Sequence, residues 1–512
     1  MAALIRDRSA ATAEMIAVFG DEALLRAALA FERSLALASA AEGLIPSEAA
    51  RLISDACQTL PLDPAVLAEE AAFAGTLAIP LVKRLREAVA AHNPELARFV
   101  HAGATSQDLA DTALMLQAKT GSALITASAR RLGDALAGLA KIHAETPMLG
   151  RTLLQGALPI TLGLRAANWW LGVDEGLRRF ERECAKALML QLGGPVGALT
   201  GLSEGVATRL AADLGLAAPP LPWHARRDGV AGLGAALAIL TGAVGKIARD
   251  VSLMSQGEVA EAFEPVQAGR GGSSAMAHKR NPTGCQVALS AATRAPGLSA
   301  TLMAGLPQEQ ERGLGGWQAE APTLASLFEL THGALEAMIP VIEDLEVDTA
   351  AMARRLAEAQ VGDDVGHAPT LVRQVLAKAP SDAGAEARFE TGLANRRAIL
   401  GDAWVDLSLA RRTPFTTDFQ DLITRYAWDE IWGRPGLDPG ARRFLVIAIT
   451  AALGRWEEFR LHVRAGLEQG GFTAEELKEV LMQTAIYAGV PAANTAFSEA
   501  AAVMEALQSK DA

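Results

Sequence analysis

Apolar residues recur at spacings of three and four along most of the chain, with charges confined to the remaining positions. That pattern predicts amphipathic helices. Up to about residue 100 the predicted helices are short and divided by polar breaks, as in ALLRAALAFERSLALASAAEGLIP (Ala23–Pro46). From about 110 to 350 they are long, as in DTALMLQAKTGSALITASARRLGDALAGLAKIHAET and ALAILTGAVGKIARDVSLMSQGEVAEAF. Helices of this length usually pack side by side as a bundle. The Val/Ile/Thr alternation that marks strands is scarce. The predicted fold class is therefore all-α, a long-helix bundle followed by a smaller all-helical unit. Leu345–Pro380 is short-patterned and charged, residues 379–385 read as a linker, and residues 386–512 form a compact unit with Trp404, Trp428, Trp432 and Trp456. By length alone, 512 residues suggest three or four structural units.

Composition supports the helical reading, because Ala and Leu, which cost least in a helix, dominate long stretches. The formal net charge of −12 argues against a nucleic-acid partner, whose phosphates need a basic face. It leaves room for an anionic small molecule held by a few local cations. Cys57, Cys184 and Cys285 are far apart, which argues against a disulfide framework or thiolate metal site and for a reducing cytoplasm. The start, MAALIRDRSA, lacks the apolar core of a signal peptide. The longest uncharged runs (Ala187–Ser203, Gly229–Gly245 and Val480–Ser498) fall short of the roughly 20 apolar residues that span a bilayer. They read as buried bundle segments, with no membrane partner. The histidines show neither HxxxH nor HExxH, so no metal is expected.

The sharpest motif is Gly271-Gly272-Ser273-Ser274-Ala275-Met276-Ala277-His278-Lys279-Arg280-Asn281-Pro282. Its glycines permit unusual backbone angles, and its hydroxyls, Lys and Asn suit a site that holds a carboxylate and moves a proton beside it. The plainer reading is a polar surface loop ending at Pro282. Gly103-Ala104-Thr105-Ser106-Gln107-Asp108 reads as a helix start, with Thr105 capping and Asp108 completing a near capping box. A helix start also binds carboxylates, so both readings can hold together.

The first string resembles the GSSxMPxKxNP signature of the fumarase/aspartase superfamily, with Ala277 in the place of its proline. Gly103–Asp108 resembles the family's TSxD segment. Arg151-Thr152-Leu153-Leu154-Gln155-Gly156-Ala157-Leu158-Pro159 resembles the RTHLQ-type segment of adenylosuccinate-lyase-like members, except that Leu153 stands where those have a catalytic His. The 3-carboxy-cis,cis-muconate cycloisomerase type also lacks that His. Gly75–Pro80, Leu192–Gly197 and Pro222–Asp228 look like that subfamily too. The resemblance covers about 1–378, with a shortened third domain after about 345; Gly366–Val372 looks like the end of a cycloisomerase. It implies Ser273 as the proton-transferring group, with Lys279 and Asn281 stabilising charge. It implies Thr105, Ser106, Arg151, Gln155, Ser274, Arg280 and, more weakly, Arg227 as substrate ligands, with His224 and His278 ambiguous. It also implies a polycarboxylate substrate and a homo-oligomer, a tetramer whose sites combine segments of several subunits.

The C-terminal unit resembles 4-carboxymuconolactone decarboxylase. The resemblance rests on Arg396–Ala403, Glu430–Leu437, Arg460–Arg464 and Tyr487–Ala493 in that order. Peroxidase-type members of that wider family carry CxxCxxxH; here Arg455 and Glu458 stand in the two cysteine places ahead of His462, so thiol redox chemistry is excluded. The resemblance implies Glu430 and His462 as catalytic, with Arg397, Arg434 or Arg464 holding a carboxylate. From spacing alone, Glu430 could equally be a surface partner of Arg434 at i,i+4. The two resemblances together imply consecutive steps of protocatechuate breakdown in the β-ketoadipate pathway, and the chemistry they imply needs no cofactor. Two other readings stay open at this point. One is a β-elimination lyase fused to an unrelated helical module, against which Leu153 speaks. The other is an inactive cycloisomerase scaffold carrying an active decarboxylase.

Overall fold

The computed structural model describes residues 4–267, 269–272, 276, 279–377 and 385–509. They fall into two compact units, Met1–Lys378 and Ala379–Ala512. Length alone suggested more units. The difference arises because long helices run through the whole of the first unit and share one interior.

The first unit opens with α1 (Leu4–Asp7), α2 (Ala13–Val18), α3 (Asp21–Ala41), α4 (Ser47–Thr59), α5 (Pro64–Ala74) and α6 (Ala78–Ala90). Asp63 starts α5 by accepting from Ala65 N at 2.9 Å, and Pro64 sits in the first turn, where a missing N–H costs nothing. The apolar faces of α3, α4 and α6 bury Phe31, Leu35, Ile53, Leu81 and Leu85 in one cluster. Side chains of this size each contribute roughly 1.5–3 kcal/mol when fully buried.

The body is built from α7 (Ser106–Ile142), α8 (Leu162–Ala187), α10 (Asp228–Met254), α11 (Thr283–Ala304) and α12 (Glu320–Glu343), with the short α9 (Glu204–Leu214) between α8 and α10. α10 packs against α8, α11 and α12, and α7 against α8 and α12. α10 is apolar and long enough to cross a bilayer by composition, although the uncharged run within it looked too short. Here it is a core helix, with Leu233, Leu237, Leu240, Val244, Ile247 and Val251 buried against its neighbours. Gly245 sets one of those approaches: a Cβ there would stand 2.5 Å from that of Ala292 on α11, so anything larger would push the helices apart.

Two small antiparallel pairings connect the bundle. β1 (Pro147–Thr152) and β2 (Gln155–Thr161) form a hairpin with Thr152 opposite Gln155. Its turn residues Leu153 and Leu154 both take positive φ, 50° and 64°, the backbone of a turn that ordinarily selects Asn-Gly. β3 (Ala262–Phe263) pairs with β4 (Glu346–Val347), after which α13 (Thr349–Ala359) and α14 (Ala368–Ala377) close the unit.

The second unit contains α15 (Ala385–Leu400), α16 (Asp402–Ala410) and α17 (Pro414–Ile423), then a π-helical stretch at Thr424–Ile431. It continues with α18 (Pro439–Ala452), α19 (Trp456–Glu468), α20 (Ala474–Ala488) and α21 (Val490–Gln508). One core gathers Ile447, Phe459, Val463, Phe472, Leu477 and Leu481; a second gathers Ile399, Leu400, Val405, Trp428 and Ala465.

Candidate active sites

In the first unit a cleft of about 190 Å³ is lined by Phe263, Glu264, Arg270, Lys279, Arg280 and Asn281, among others. The two ends of the motif, Gly271–Gly272 and Lys279–Pro282, form one wall. Asn281 N donates to Gly271 O at 2.8 Å, and Asn281 Nδ2 donates to Gly272 O at 3.2 Å, so the base of the loop is pinched shut. Gly271 has φ 73°, and a Cβ there would meet Asn281 O at 2.8 Å; both conditions require glycine. Lys279 and Asn281, both expected to stabilise charge, thus meet at one cleft. Ser273, Ser274 and His278 lie outside the described residues.

The other wall is electrostatically spoken for. Glu264 accepts from Gly284 N at 3.0 Å and Cys285 N at 2.8 Å, so its carboxylate occupies the positive start of α11. Arg280 donates to Glu346 at 2.9 Å and to Glu264 O at 2.5 Å, and its guanidinium lies over the Phe263 ring. Arg280 therefore clamps the β3–β4 end while facing the cleft. Its pairing holds the Glu346 carboxyl below the usual carboxylate range.

The Thr105 segment builds a different place. Asp108, fully buried, accepts from Thr105 N at 3.0 Å, Gly193 N at 3.0 Å, Gly194 N at 2.9 Å and His224 Nε2 at 2.7 Å. The capping box is real, and the same carboxylate also ties in two other loops. Gln107 is held by His224 O and by Arg312 Nε. Ser106 lines a cleft of about 420 Å³ with Lys83, Arg86 and His101.

His101 was not singled out from the sequence. It adopts a left-handed backbone (φ 61°), and its Nδ1 lies 2.5 Å from Oε1 of the buried Glu32. Burial alone would lower the pKa of this imidazole. The Glu32 charge and hydrogen bond outweigh it, and the net shift is upward. Nothing local signals the pair, since Glu32 is 69 positions away; only the nearness of His101 to Thr105 could have drawn attention to it.

Two expected substrate arginines are engaged elsewhere. Arg151 makes a two-pronged pair with the buried Glu261, both contacts at 2.8 Å. It sits on the hairpin with the exposed Gln155, and Glu261 leads directly into β3. Arg227 requires correction. It is 1% exposed, donates twice to Asp111 at 2.8 Å and is also paired with Glu320, so its donors are consumed inside the bundle. It holds α7 and α12 to the start of α10 and offers a substrate nothing. His224, locked on Asp108, is likewise a structural histidine.

In the second unit, the π stretch aims an aromatic stack. Trp432 N donates to Ala427 O at 2.9 Å, one residue farther back than an α-helix allows, whereas Gly433 N returns to Asp429 O. The shift skips the Trp428 carbonyl, and Asn395 Nδ2 supplies that missing donor at 3.0 Å. Trp428 stacks on Trp432 (5.3 Å between centroids), and Trp432 stacks on His462 (6.0 Å, 7° between planes).

His462 is 8% exposed and its Nδ1 has no partner among the described residues. Burial, helped by the charge of Arg443 and opposed by Glu458, pushes its pKa down to about 4. Glu430 is half exposed and pairs with Arg388 at 3.0 Å, in place of the Arg434 partner that spacing suggested. Among the described residues no hydrogen bond joins Glu430 to His462. Arg397 is engaged by Asp402 and Asp406, and Arg434 is exposed. Arg443, which the sequence reading passed over, is the arginine that acts on His462.

The family described as Lyase matches residues 7–297, and the carboxymuconolactone decarboxylase family matches residues 417–502. A 3-carboxy-cis,cis-muconate cycloisomerase of Pseudomonas aeruginosa is 47% identical over 347 residues, which cover 67% of this chain and 76% of that protein. A nitrosuccinate lyase of Streptomyces davaonensis is 40% identical over 351 residues, 66% of this chain and 74% of that one. Among solved structures, a 3-carboxy-cis,cis-muconate lactonizing enzyme from Pseudomonas putida superposes with a TM-score of 0.66 at 38% identity, over 84% of this chain and 97% of that one.

Proposed function

The chain belongs to the fumarase/aspartase-type lyase family and carries a carboxymuconolactone decarboxylase-type domain at its C-terminus, and from that premise we propose that it catalyses two successive reactions. The first lactonises 3-carboxy-cis,cis-muconate to 4-carboxymuconolactone. The second decarboxylates that product to 3-oxoadipate enol-lactone, within protocatechuate breakdown. The observation that carries the first step is the meeting of Lys279 and Asn281 at the glycine-pinched cleft, in a chain 47% identical over 347 residues to a cycloisomerase.

Lactonisation adds a carboxylate oxygen across a double bond conjugated to a second carboxylate. Negative charge collects on that second carboxylate, and one proton must reach carbon. Lys279 and Asn281 stabilise the charge, and Ser273 transfers the proton. Thr105 and Ser106 at the start of α7, with Gln155, Ser274 and Arg280, hold substrate carboxylates, and Arg151 joins them only if it leaves Glu261. In one copy the described members of this set lie at separate places: the Lys279 cleft, the Ser106 cleft and the hairpin. A homotetramer that brings them together from several copies completes the site. The unit's third domain, after about 345, is shortened relative to other cycloisomerases.

In the second unit, loss of CO₂ breaks the bond to the lactone carbon. The electron pair moves through the ring double bond into the lactone carbonyl, and the resulting dienolate is protonated at the far carbon. His462 carries that proton, and Glu430 orients or polarises the site. Buried, unbridged Cys57, Cys184 and Cys285 support a reducing cytoplasmic setting.

The internal commitment of Arg151 favours one second reading, in which the first unit is a scaffold and only the decarboxylase works. Both are tested by giving the purified protein 3-carboxy-cis,cis-muconate and following diene absorbance and CO₂. Loss of diene that Ser273→Ala abolishes, and lactone accumulation in His462→Ala, support the bifunctional enzyme. CO₂ released only from pre-made lactone supports the scaffold.

A further inference from the structure

We propose that Arg443 and His462 form a buried site for a single carboxylate, and that its occupant is the carboxylate which the lactone keeps when CO₂ leaves. The inference rests on the decarboxylase reading and deepens it. Arg443 on α18 is 3% exposed. Its Nη2 donates to the neutral Gln469 Oε1 at 3.0 Å, and its Nη1 is buried without a partner. Other arginines of this unit have acids: Asp402 and Asp406 for Arg397, Asp421 for Arg412, Glu499 for Arg460 and Glu430 for Arg388. Among the described residues none pairs with Arg443. Arg396 is also buried with unpartnered nitrogens, but it lies over the Trp404 ring and donates to Ser408.

A buried guanidinium without a counter-ion is costly, and so is a buried ring nitrogen without a partner. Arg443 donates to Gln469, which lies seven positions, about two turns, beyond His462 at the end of α19, and α18 packs on α19, so both groups belong to one helix–helix seam. A carboxylate is the group that answers both, because its two oxygens take two donors and its charge balances the guanidinium. Gly471 lets the backbone pack directly against the Arg443 guanidinium and fixes its position; a Cβ there would stand 3.2 Å from Cζ and Nε. The stacked Trp432 supplies a flat wall on His462.

The retained carboxylate is the one that fits. A leaving carboxylate becomes neutral CO₂, so an ion pair to it would be lost on the way to the transition state and would slow the reaction. A pair to the retained group persists throughout. It also changes the histidine. Burial and the Arg443 charge keep His462 neutral, with Glu458 as the opposing acid. An anion between the two reverses the charge effect and raises the basicity of the imidazole, so that it can carry the proton the dienolate needs.

The test uses the full chain and two probes: the saturated γ-lactone acetate that lacks the leaving carboxylate, for binding by calorimetry, and 4-carboxymuconolactone, for CO₂ release. Arg443→Gln should weaken analogue binding and raise KM by about tenfold or more, with a smaller change in kcat. Arg443→Lys should recover part of the affinity, and Lys478→Gln, at an exposed surface pair, should change neither. By NMR, the His462 pKa should rise when the analogue binds to the unmodified protein and stay in place in Arg443→Gln. Equal binding by the unmodified protein and Arg443→Gln, with CO₂ release intact, would overturn the carboxylate site and leave the decarboxylase standing. Weakened analogue binding in Arg443→Gln, with no CO₂ released by any form, would keep the site and remove the decarboxylase. Should Arg443→Gln fail to fold, an unchanged KM in Arg443→Lys overturns the proposal, since an ammonium cannot reproduce the guanidinium fork.

Discussion

Asp108 accepts from His224 Nε2 at 2.7 Å and from Gly194 N at 2.9 Å, so one buried carboxylate joins the start of α7 to two loops distant in sequence. Asp108→Ala strands four donors in a place water does not reach. A loss of about 3–5 kcal/mol in denaturant unfolding is expected, with Asp108→Asn intermediate. A change under about 1 kcal/mol would mean that the loops hold themselves.

Lys279→Met should lower the rate of diene loss by roughly a hundredfold or more, chiefly in kcat, as removal of one charge-stabilising group does. Decarboxylation of pre-made lactone by the same variant should be unaffected. Steady-state kinetics on the two substrates separates these, and a slowed decarboxylation would mean that the two reactions do not have separate sites.

Arg227→Met should destabilise the first unit by about 3–5 kcal/mol, because it leaves Asp111 and Glu320 buried and unpaired. At temperatures where the variant stays folded, KM should be near that of the unmodified protein. A stable variant with a raised KM would return Arg227 to the substrate.

His462 and His101 contribute opposite responses to pH. His462 has a folded pKa of about 4, below its ordinary value of about 6.5. Both states are neutral above that ordinary value. As pH falls through the interval the unfolded chain binds the proton first, so the second unit loses up to about 3 kcal/mol by pH 4. His462→Gln should remove that loss. His101 is raised, so its stabilisation is full below the unfolded pKa and disappears as pH rises through the folded one. Calorimetry across pH 4–8 on the unmodified chain, His462→Gln and His101→Gln checks both; a His462→Gln profile parallel to the unmodified one would refute the assignment.

What was legible in the sequence was what depends on near neighbours. Thr105 and Asp108 are three apart, and their capping box forms as spacing dictates. Gly271 needed its freedom where the motif placed it. The long helices followed from periodicity. What depends on distant partners was not legible. Arg227 looked like a ligand because Glu320, which consumes it, lies 93 positions away. Glu430 found Arg388 across 42 positions in preference to Arg434 nearby, because the π register turns it toward α15. That register itself has no local signature: it depends on Asn395 reaching the skipped Trp428 carbonyl from another helix.

The Leu153–Leu154 turn has a consequence for stability. Branched residues held at positive φ are disfavoured by their own backbone, and Leu153 is 96% exposed, so the isolated protein gains nothing in return. Asn-Gly, which adopts this backbone readily, should raise Tm. Two leucines at the tip are then a cost in stability that catalysis or assembly would have to repay. An Asn-Gly exchange that raises Tm while slowing diene loss would expose that trade, whereas unchanged catalysis would mark the turn as a historical accident open to engineering.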